Sequence, residues 1–159
     1  MYNQPVIEKT ISEILRKKGL TLAVAESCTG GLISSSLTDI PGSSQYFLCG
    51  IVAYANKTKS DLLNVPAELI KMHGAVSQEV ALALAQNVKH LAKTNIGLGI
   101  TGIAGPQGGT PLKPVGTVFI AVSIAHHHYF KKYHFAGNRS SIKKQAKDAA
   151  LQLLKECLL

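Results

Sequence analysis

An apolar run over residues 21–25 leads into Glu26-Ser27-Cys28-Thr29-Gly30-Gly31 and emerges in a helix-like segment that begins at Leu32. Paired glycines at such a junction let the backbone reverse sharply between a strand and a helix. A buried strand handing over to a helix is the repeating unit of layered α/β structures. The same junction concentrates chemistry. The Ser27 hydroxyl, the Cys28 thiol and the Thr29 hydroxyl are adjacent. The N–H groups that open the following helix, at Gly30-Gly31, have no partner within that helix and favour developing negative charge. Candidate nucleophiles thus sit beside candidate oxyanion donors, as acyl transfer requires.

The rest of the chain continues the alternation. Residues 5–18 place Val6, Ile7, Ile11, Ile14 and Leu15 on one helical face, closed by Gly19. A helix over residues 32–38 stops at Ile40-Pro41-Gly42. A strand follows over 46–54, then short helices over 56–63 and 66–73, the second closed by Gly74. Ser77 is a good N-cap for a long helix to about residue 93. A strand over 96–101 enters a Gly/Pro-rich loop over 102–114. Residues 115–124 and 129–135 read as a hairpin joined through His126, His127 and His128. Asn138 caps a final helix with Ile142, Ala146, Ala149, Leu153 and Cys157 facing inward. The expected architecture is a single domain over residues 1–159, a three-layer α/β/α fold. Its sheet is mixed and mostly parallel, ending in the antiparallel hairpin.

Composition narrows the function classes. Hydrophobic residues make up 46% of the 159, which argues against disorder. No apolar run approaches the ~20 residues needed to span a bilayer. The first 20 residues are amphipathic and carry Glu8 and Glu13, unlike a secretory leader. Three cysteines, Cys28, Cys49 and Cys157, are too few and odd in number for a disulfide framework, so a reducing cytoplasm is expected. The net charge of +8 is unevenly spread. Between Glu79 and Asp148 there is no acidic residue, whereas Lys89, Lys93, Lys113, Lys131, Lys132, Arg139, Lys143, Lys144 and Lys147 all fall there. Such a half-chain attracts anions, either a phosphorylated small molecule or nucleic acid; the competing reading is a merely soluble basic surface.

A serine nucleophile needs a base. Tyr54-Ala55-Asn56-Lys57-Thr58-Lys59 follows the second strand as Ser27 follows the first. If those strands are neighbours, both junctions open at one sheet edge, where α/β ligand sites lie. Lysine is the available base. Its ordinary pKa of ~10.4 leaves only about one molecule in a thousand neutral near pH 7. Burial or a cationic neighbour must therefore depress it, and Lys57 is one candidate neighbour for Lys59. The competing reading is two solvated lysines on a helix surface. Cys28 is the rival nucleophile, intrinsically stronger and eased by a helix N-terminus, unless it is merely a small buried side chain. Strand alternation puts Ser27 and Cys28 on opposite sides, so only one is expected to face the pocket.

Other motifs carry less. Gly97-Leu98-Gly99-Ile100-Thr101-Gly102 matches a dinucleotide fingerprint. It lies inside a strand, leads to Pro106 rather than a helix, and lacks an acid ~20 residues on. Ser140 and Lys143 form an S-x-x-K pattern at a solvated helix start. The loop over 102–114, with Gly102, Gly105, Gly108 and Gly109, is either a backbone nest for phosphate or carboxamide oxygen or an ordinary flexible loop. Arg139 opens the last helix, where phosphates bind well. The three histidines have no carboxylate or cysteine nearby in sequence and read as a polar turn, so no metal site is expected.

Six motifs together resemble one family. They are Ala25-Glu26-Ser27-Cys28-Thr29-Gly30-Gly31, Pro41-Gly42-Ser43-Ser44, Gly50 to Tyr54 with Asn56 and Lys59, Gly74-Ala75-Val76-Ser77, Thr101-Gly102-Ile103-Ala104-Gly105-Pro106, and Lys113-Pro114-Val115-Gly116-Thr117. In order and over almost the whole chain, they are similar to the CinA carboxy-terminal domain family, the nicotinamide-nucleotide amidohydrolases of the PncC type. Larger CinA proteins carry a further amino-terminal domain, for which this length leaves no room. The resemblance implies hydrolysis of the carboxamide of nicotinamide mononucleotide in pyridine nucleotide salvage, without metal or cofactor. It implies Ser27 as nucleophile, Lys59 as general base and Tyr54 as the assisting hydroxyl. Oxyanion and substrate contacts are expected from Cys28, Thr29, Gly30, Gly31, Asn56, Thr101, Gly102, Gly105 and Arg139. Family members often have Gly-Asp-Arg where this chain has Gly137-Asn138-Arg139, which changes how Arg139 is held. The expected partner is a small pyridine nucleotide, with a homo-oligomer and no membrane. Nucleic acid is disfavoured because there is no aromatic stacking array and there are only two arginines. A non-catalytic nucleotide- or nucleic-acid-binding module is the alternative.

Overall fold

β1 (Leu22–Glu26) is buried along its entire length because both of its faces are covered. Leu22 and Val24 face one layer, where they pack with Ile11 and Leu15 of α1 (Ile7–Lys18), Ile33 and Leu37 of α2 (Leu32–Thr38), and Ala146 and Leu154 of α6 (Arg139–Leu158). Ala23 and Ala25 face the other layer, against Leu63 of α3 (Asn56–Leu63) and Val80, Leu84 and Val88 of α5 (Gln78–Ala92). α4 (Ala67–His73) completes that layer through half-buried Leu69 and Ile70. The period-2 alternation of one short strand thus sorts the helices into two layers. A computed structural model describes residues 6–159, so the first residue of the expected opening helix, Pro5, lies outside the described residues.

The sheet order is β2-β1-β3-β4-β5, with β2 at Phe47–Val52, β3 at Ile96–Gly102, β4 at Thr117–Ile124 and β5 at His127–His134. β1 runs parallel to β2 and β3, while β3–β4 and β4–β5 are antiparallel. Only β4 therefore opposes the common direction. The three-layer fold with a mixed sheet and a late hairpin matches the sequence reading. A short 3-10 turn at Ser43–Gln45 was not foreseen.

Three local expectations need correction. β2 ends at Val52, so Tyr54 lies in the loop before α3 rather than in the strand. The hairpin turns at Ala125, whose φ is 51°, and at His126; His127 and His128 already belong to β5. In α6, Ile142, Ala146 and Leu153 are buried as expected, but Ala149 and Cys157 are only half-buried. Ala150, Leu151, Leu154 and Leu158 are buried instead, because the i, i+4 series from Ile142 continues along the sheet-facing side.

The glycine pattern in β3 has a packing cause. A Cβ on Gly97 would lie 1.9 Å from the carbonyl oxygen of Ala85, and one on Gly99 2.5 Å from that of Ala81. Both glycines let α5 lie directly against the sheet. That seats the helix whose preceding loop, Ala75 and Val76, reaches the site.

Candidate active site

The parallel pairing of β1 with β2 and β3 brings their C-terminal ends together, with Glu26 in register with Val52 and with Ile100. The two chemistry-bearing junctions therefore open at one sheet edge, as at other α/β ligand sites. Ser27 follows β1 directly, and its N–H donates to the Ile100 carbonyl at 3.2 Å. The residue is 7% exposed.

Glu26 governs the turn after it. Its place in the strand, two residues after Val24, turns its side chain toward the α2 layer. There its carboxylate, 1% exposed, accepts five hydrogen bonds. Oε2 takes the Thr29 hydroxyl at 2.6 Å and the N–H groups of Gly31 and Ile33 at 3.0 and 3.2 Å. Oε1 takes the N–H and hydroxyl of Ser34 at 2.8 and 2.7 Å. The N-cap of α2 is Gly31, at φ 101°, which has no side chain to cap with. A carboxylate five residues upstream performs that task, favoured by the helix dipole.

The N–H groups of Gly30 and Gly31, expected as oxyanion donors, are engaged within the turn. The Gly30 N–H donates to the Ser27 carbonyl at 3.1 Å, and the Gly31 N–H is held by Glu26. The Thr29 side chain is likewise committed to Glu26 and fully buried. Among the described residues, the N–H groups of Cys28 and Thr29 find no oxygen acceptor.

Cys28 and Ser27 both line the cavity, contrary to the expectation that only one could. Both lie past the last strand residue, so strand alternation no longer applies. Cys28 also packs into the core with Ile33 and Val118. Burial is the largest influence on its thiol, and the pKa is pushed up to about 12 rather than lowered by the helix. A thiol that stays protonated at neutral pH is a poor nucleophile.

Lys59 is 2% exposed. α3 presents Lys59 and Leu63 on its buried face, one turn apart, and the anchoring of Leu63 in the core carries the lysine inward. Its ammonium donates to the Tyr54 carbonyl at 3.0 Å. Burial lowers its pKa, and this happens without the expected cationic neighbour. Lys57 is solvent-exposed and pairs with Asp61 on the outer face of α3.

Tyr54 is 58% exposed, yet its hydroxyl accepts from Nη2 of Arg139 at 2.6 Å. Nη1 of Arg139 donates to the Gly105 carbonyl, also at 2.6 Å. The guanidinium thus joins the loop before α3, the loop after β3 and the start of α6. Asn138 is occupied elsewhere, its side chain accepting from the Ser141 N–H at 2.9 Å. Arg139 is held by Tyr54 and Gly105 without a carboxylate at position 138.

These groups enclose a cavity of about 210 Å³. Ser27 and Cys28 come from the end of β1, and Tyr54, Asn56 and Lys59 from the β2–α3 region. Thr101, Gly102 and Ala104 come from the end of β3, Ala75 and Val76 from the loop before α5, and Arg139 from α6. The Thr101 hydroxyl donates to the Ala75 carbonyl at 2.8 Å and ties two walls together. A Cβ on Gly102 would lie 2.7 Å from Val118 and 3.0 Å from the Cys28 sulfur, so this wall requires glycine. Thr29, Gly30, Gly31 and Gly105 do not line the cavity. Sequence reasoning missed Ala75, Val76, Ala104 and the capping role of Glu26. Gly74-Ala75-Val76-Ser77 was visible as a motif but had no chemistry to mark it. Ser27 and Lys59 share the cavity without a direct hydrogen bond, a contact that often tightens only with substrate. A second cleft of about 350 Å³, lined by Leu32, Arg139, Ser140 and Lys143, adjoins through Arg139.

The model of the CinA C-terminal domain matches residues 4–158. The chain belongs to the CinA C-terminal domain family. The chain is 49% identical over 153 residues to a CinA-like protein of Geobacter metallireducens, covering 96% of this chain and 37% of that protein.

 A putative competence-damage inducible protein of Desulforudis audaxviator is 44% identical over 153 residues, again 96% of this chain and 37% of that protein. The chain spans a little over a third of the length of these curated relatives. Among solved structures, the competence/damage inducible protein CihA from Agrobacterium tumefaciens is 36% identical, with a TM-score of 0.89 and 99% of both chains covered. A CinA superfamily protein from Klebsiella pneumoniae is 30% identical, with a TM-score of 0.92 over 96% of this chain and 95% of that one. Among the described residues, no helix is long and apolar enough to cross a membrane.

Proposed function

We propose that this CinA domain hydrolyses the carboxamide of nicotinamide mononucleotide, giving nicotinate mononucleotide and ammonia through an acyl-enzyme on Ser27. The observation that carries the reading is Lys59, a lysine 2% exposed with a lowered pKa, in the same small cavity as Ser27. A depressed lysine holds more of the neutral amine that a serine needs as its base. Among the described residues, no carboxylate lines that cavity.

The residues support the following sequence. Neutral Lys59 takes the Ser27 proton as Oγ bonds to the carboxamide carbon. The carbonyl becomes an oxyanion, then re-forms as the C–N bond breaks. Ammonia leaves with a proton from the lysine ammonium, passed directly or relayed through the Tyr54 hydroxyl, so that Lys59 is neutral again. Water attacks the acyl-enzyme as Lys59 takes its proton, and Lys59 returns that proton to Ser27 Oγ as the acyl C–O bond breaks, releasing nicotinate mononucleotide. The cleft beside Arg139 and Lys143 supports a phosphorylated substrate rather than free nicotinamide, since phosphate pairs well with guanidinium and ammonium groups. The three cysteines are unpaired, in keeping with a cytoplasmic setting.

The test is ammonia release from the purified protein with nicotinamide mononucleotide. Ser27→Ala is expected to lower kcat at least about a thousandfold, and Lys59→Ala by about a hundredfold or more. Cys28→Ala should keep most of the activity. Loss in Cys28→Ala with Ser27→Ala still active would overturn the assignment.

A further inference from the structure

We infer that Glu26 is a positioning residue for the Ser27 turn and that, by occupying the N-terminal donors of α2, it leaves the N–H of cavity-lining Cys28 as the oxyanion donor. The inference rests on the reading of Ser27 as the acylated nucleophile.

Ser27 is suspended between two anchors, and Glu26 supplies both. Its backbone lies in the sheet, paired with Val52 and Ile100, and its carbonyl accepts from the Ala53 N–H at 2.8 Å. Its carboxylate reaches past Ser27 and Cys28 to grip residues 29, 31, 33 and 34. The turn is thus clamped to β1 at one end and to α2 at the other. β2 makes room for the grip. A Cβ on Gly50 would lie 2.3 Å from the Ser34 hydroxyl that bonds Glu26. A helix start needs only one or two capping bonds, and a serine or aspartate at the N-cap would provide them. Five donors converging on a buried carboxylate fix the geometry far more tightly. The donors of Gly31, Ile33 and Ser34 are then unavailable to substrate, which leaves the N–H of Cys28, the residue of the turn that lines the cavity beside Ser27.

Glu26→Gln tests this with an isosteric side chain. An amide keeps one acceptor oxygen, so at least two of the five donors lose their partner. In protein that remains folded by circular dichroism, kcat for nicotinamide mononucleotide should fall at least tenfold with KM changed less than threefold. Neutralising a carboxylate beside a forming oxyanion would by charge alone leave the rate unchanged or raise it, so the sign separates positioning from electrostatics. A kcat within twofold of the parent, a faster rate, or a raised KM at constant kcat overturns the inference. Should Glu26→Gln not fold, Thr29→Val and Ser34→Ala each remove one donor and keep the carboxylate. Each should lower kcat three- to tenfold, and two unchanged rates overturn the inference.

A fluorophosphonate probe separates this inference from the choice of substrate. Ser27 Oγ bonds to phosphorus, fluoride leaves, and Lys59 takes the serine proton. If the parent protein is inert toward the nucleotide yet labelled on Ser27, and Glu26→Gln labels at least tenfold more slowly, the positioning role stands and the substrate reading falls. Equal labelling rates, or no labelling of Ser27 in the parent, overturn it.

Discussion

The thiol and the lysine exchange the roles that their chemistry alone suggests. Cys28 is the stronger nucleophile in water, but burial holds it as a neutral thiol. Lys59 is an unpromising base in water, but burial works in the opposite sense on a cation and favours its neutral form. Burial thus disfavours the rival nucleophile and favours the base. The pH dependence follows. The base acts when unprotonated, so kcat/KM should rise with pH, with its midpoint below lysine's ordinary ~10.4. Lys59→Arg, charged at every accessible pH, should remain inactive throughout. A midpoint at or above the ordinary lysine value would remove Lys59 as the base. Stability carries the same sign. With the folded pKa below the unfolded one, the unfolded chain binds the extra proton, so this group weakens the fold below its folded pKa and the weakening disappears as pH rises through ~10.4. Lys59→Met should therefore raise Tm near neutral pH by a few degrees, at about 2–4 °C per kcal/mol. The gain should shrink toward zero at high pH. Water in the cavity can replace the lost partner of the Tyr54 carbonyl. Thermal unfolding across a pH series reads both effects.

At the scale of elements, much of the fold could be read from periodicity. The junction after β1, the helix cap at Ser77 and the strand–helix order follow from apolar spacing and capping residues close in sequence. The fate of Lys59 could not be read, because Asn56-Lys57-Thr58-Lys59 looks like a solvated helix start. Its burial is decided by Leu63 one turn later and by packing against α5. Glu26 was legible only in part. A glycine at the N-cap of α2 signals a missing cap, but nothing local says that the preceding strand supplies it. The glycine pattern of β3 gives the element-scale prediction. Gly99→Ala would set a Cβ 2.5 Å from the Ala81 carbonyl oxygen and 2.6 Å from the Ala85 nitrogen, both backbone atoms that cannot turn aside. Overpacking of this kind costs about 1–3 kcal/mol, or roughly 2–12 °C in Tm. A Tm unchanged by Gly99→Ala would mean that α5 does not lie where the packing requires.

For the whole molecule, the uneven charge matters more than the total of +8. The acid-free half of the chain supplies Arg139 and Lys143 to the cleft beside the Ser27 cavity. Two consequences separate a small phosphorylated ligand from a polymer. A mononucleotide offers a single phosphate, so Lys143→Ala should raise KM for nicotinamide mononucleotide about three- to tenfold, the value of one charged hydrogen bond at a half-open site. kcat should stay within twofold, because the phosphate lies away from the reacting carbon. Nicotinamide riboside, which lacks the phosphate, should bind weakly to both proteins and respond little to the change. Added salt should mimic the substitution, raising KM between 50 and 500 mM as the Debye length shortens. A nucleic-acid partner would behave differently, because it releases many counterions and its affinity falls steeply with salt. Tight gel-shift complexes at low salt that collapse on this steep dependence, with Lys143→Ala leaving KM for the mononucleotide unchanged, would assign the basic half to a polymer rather than to the substrate.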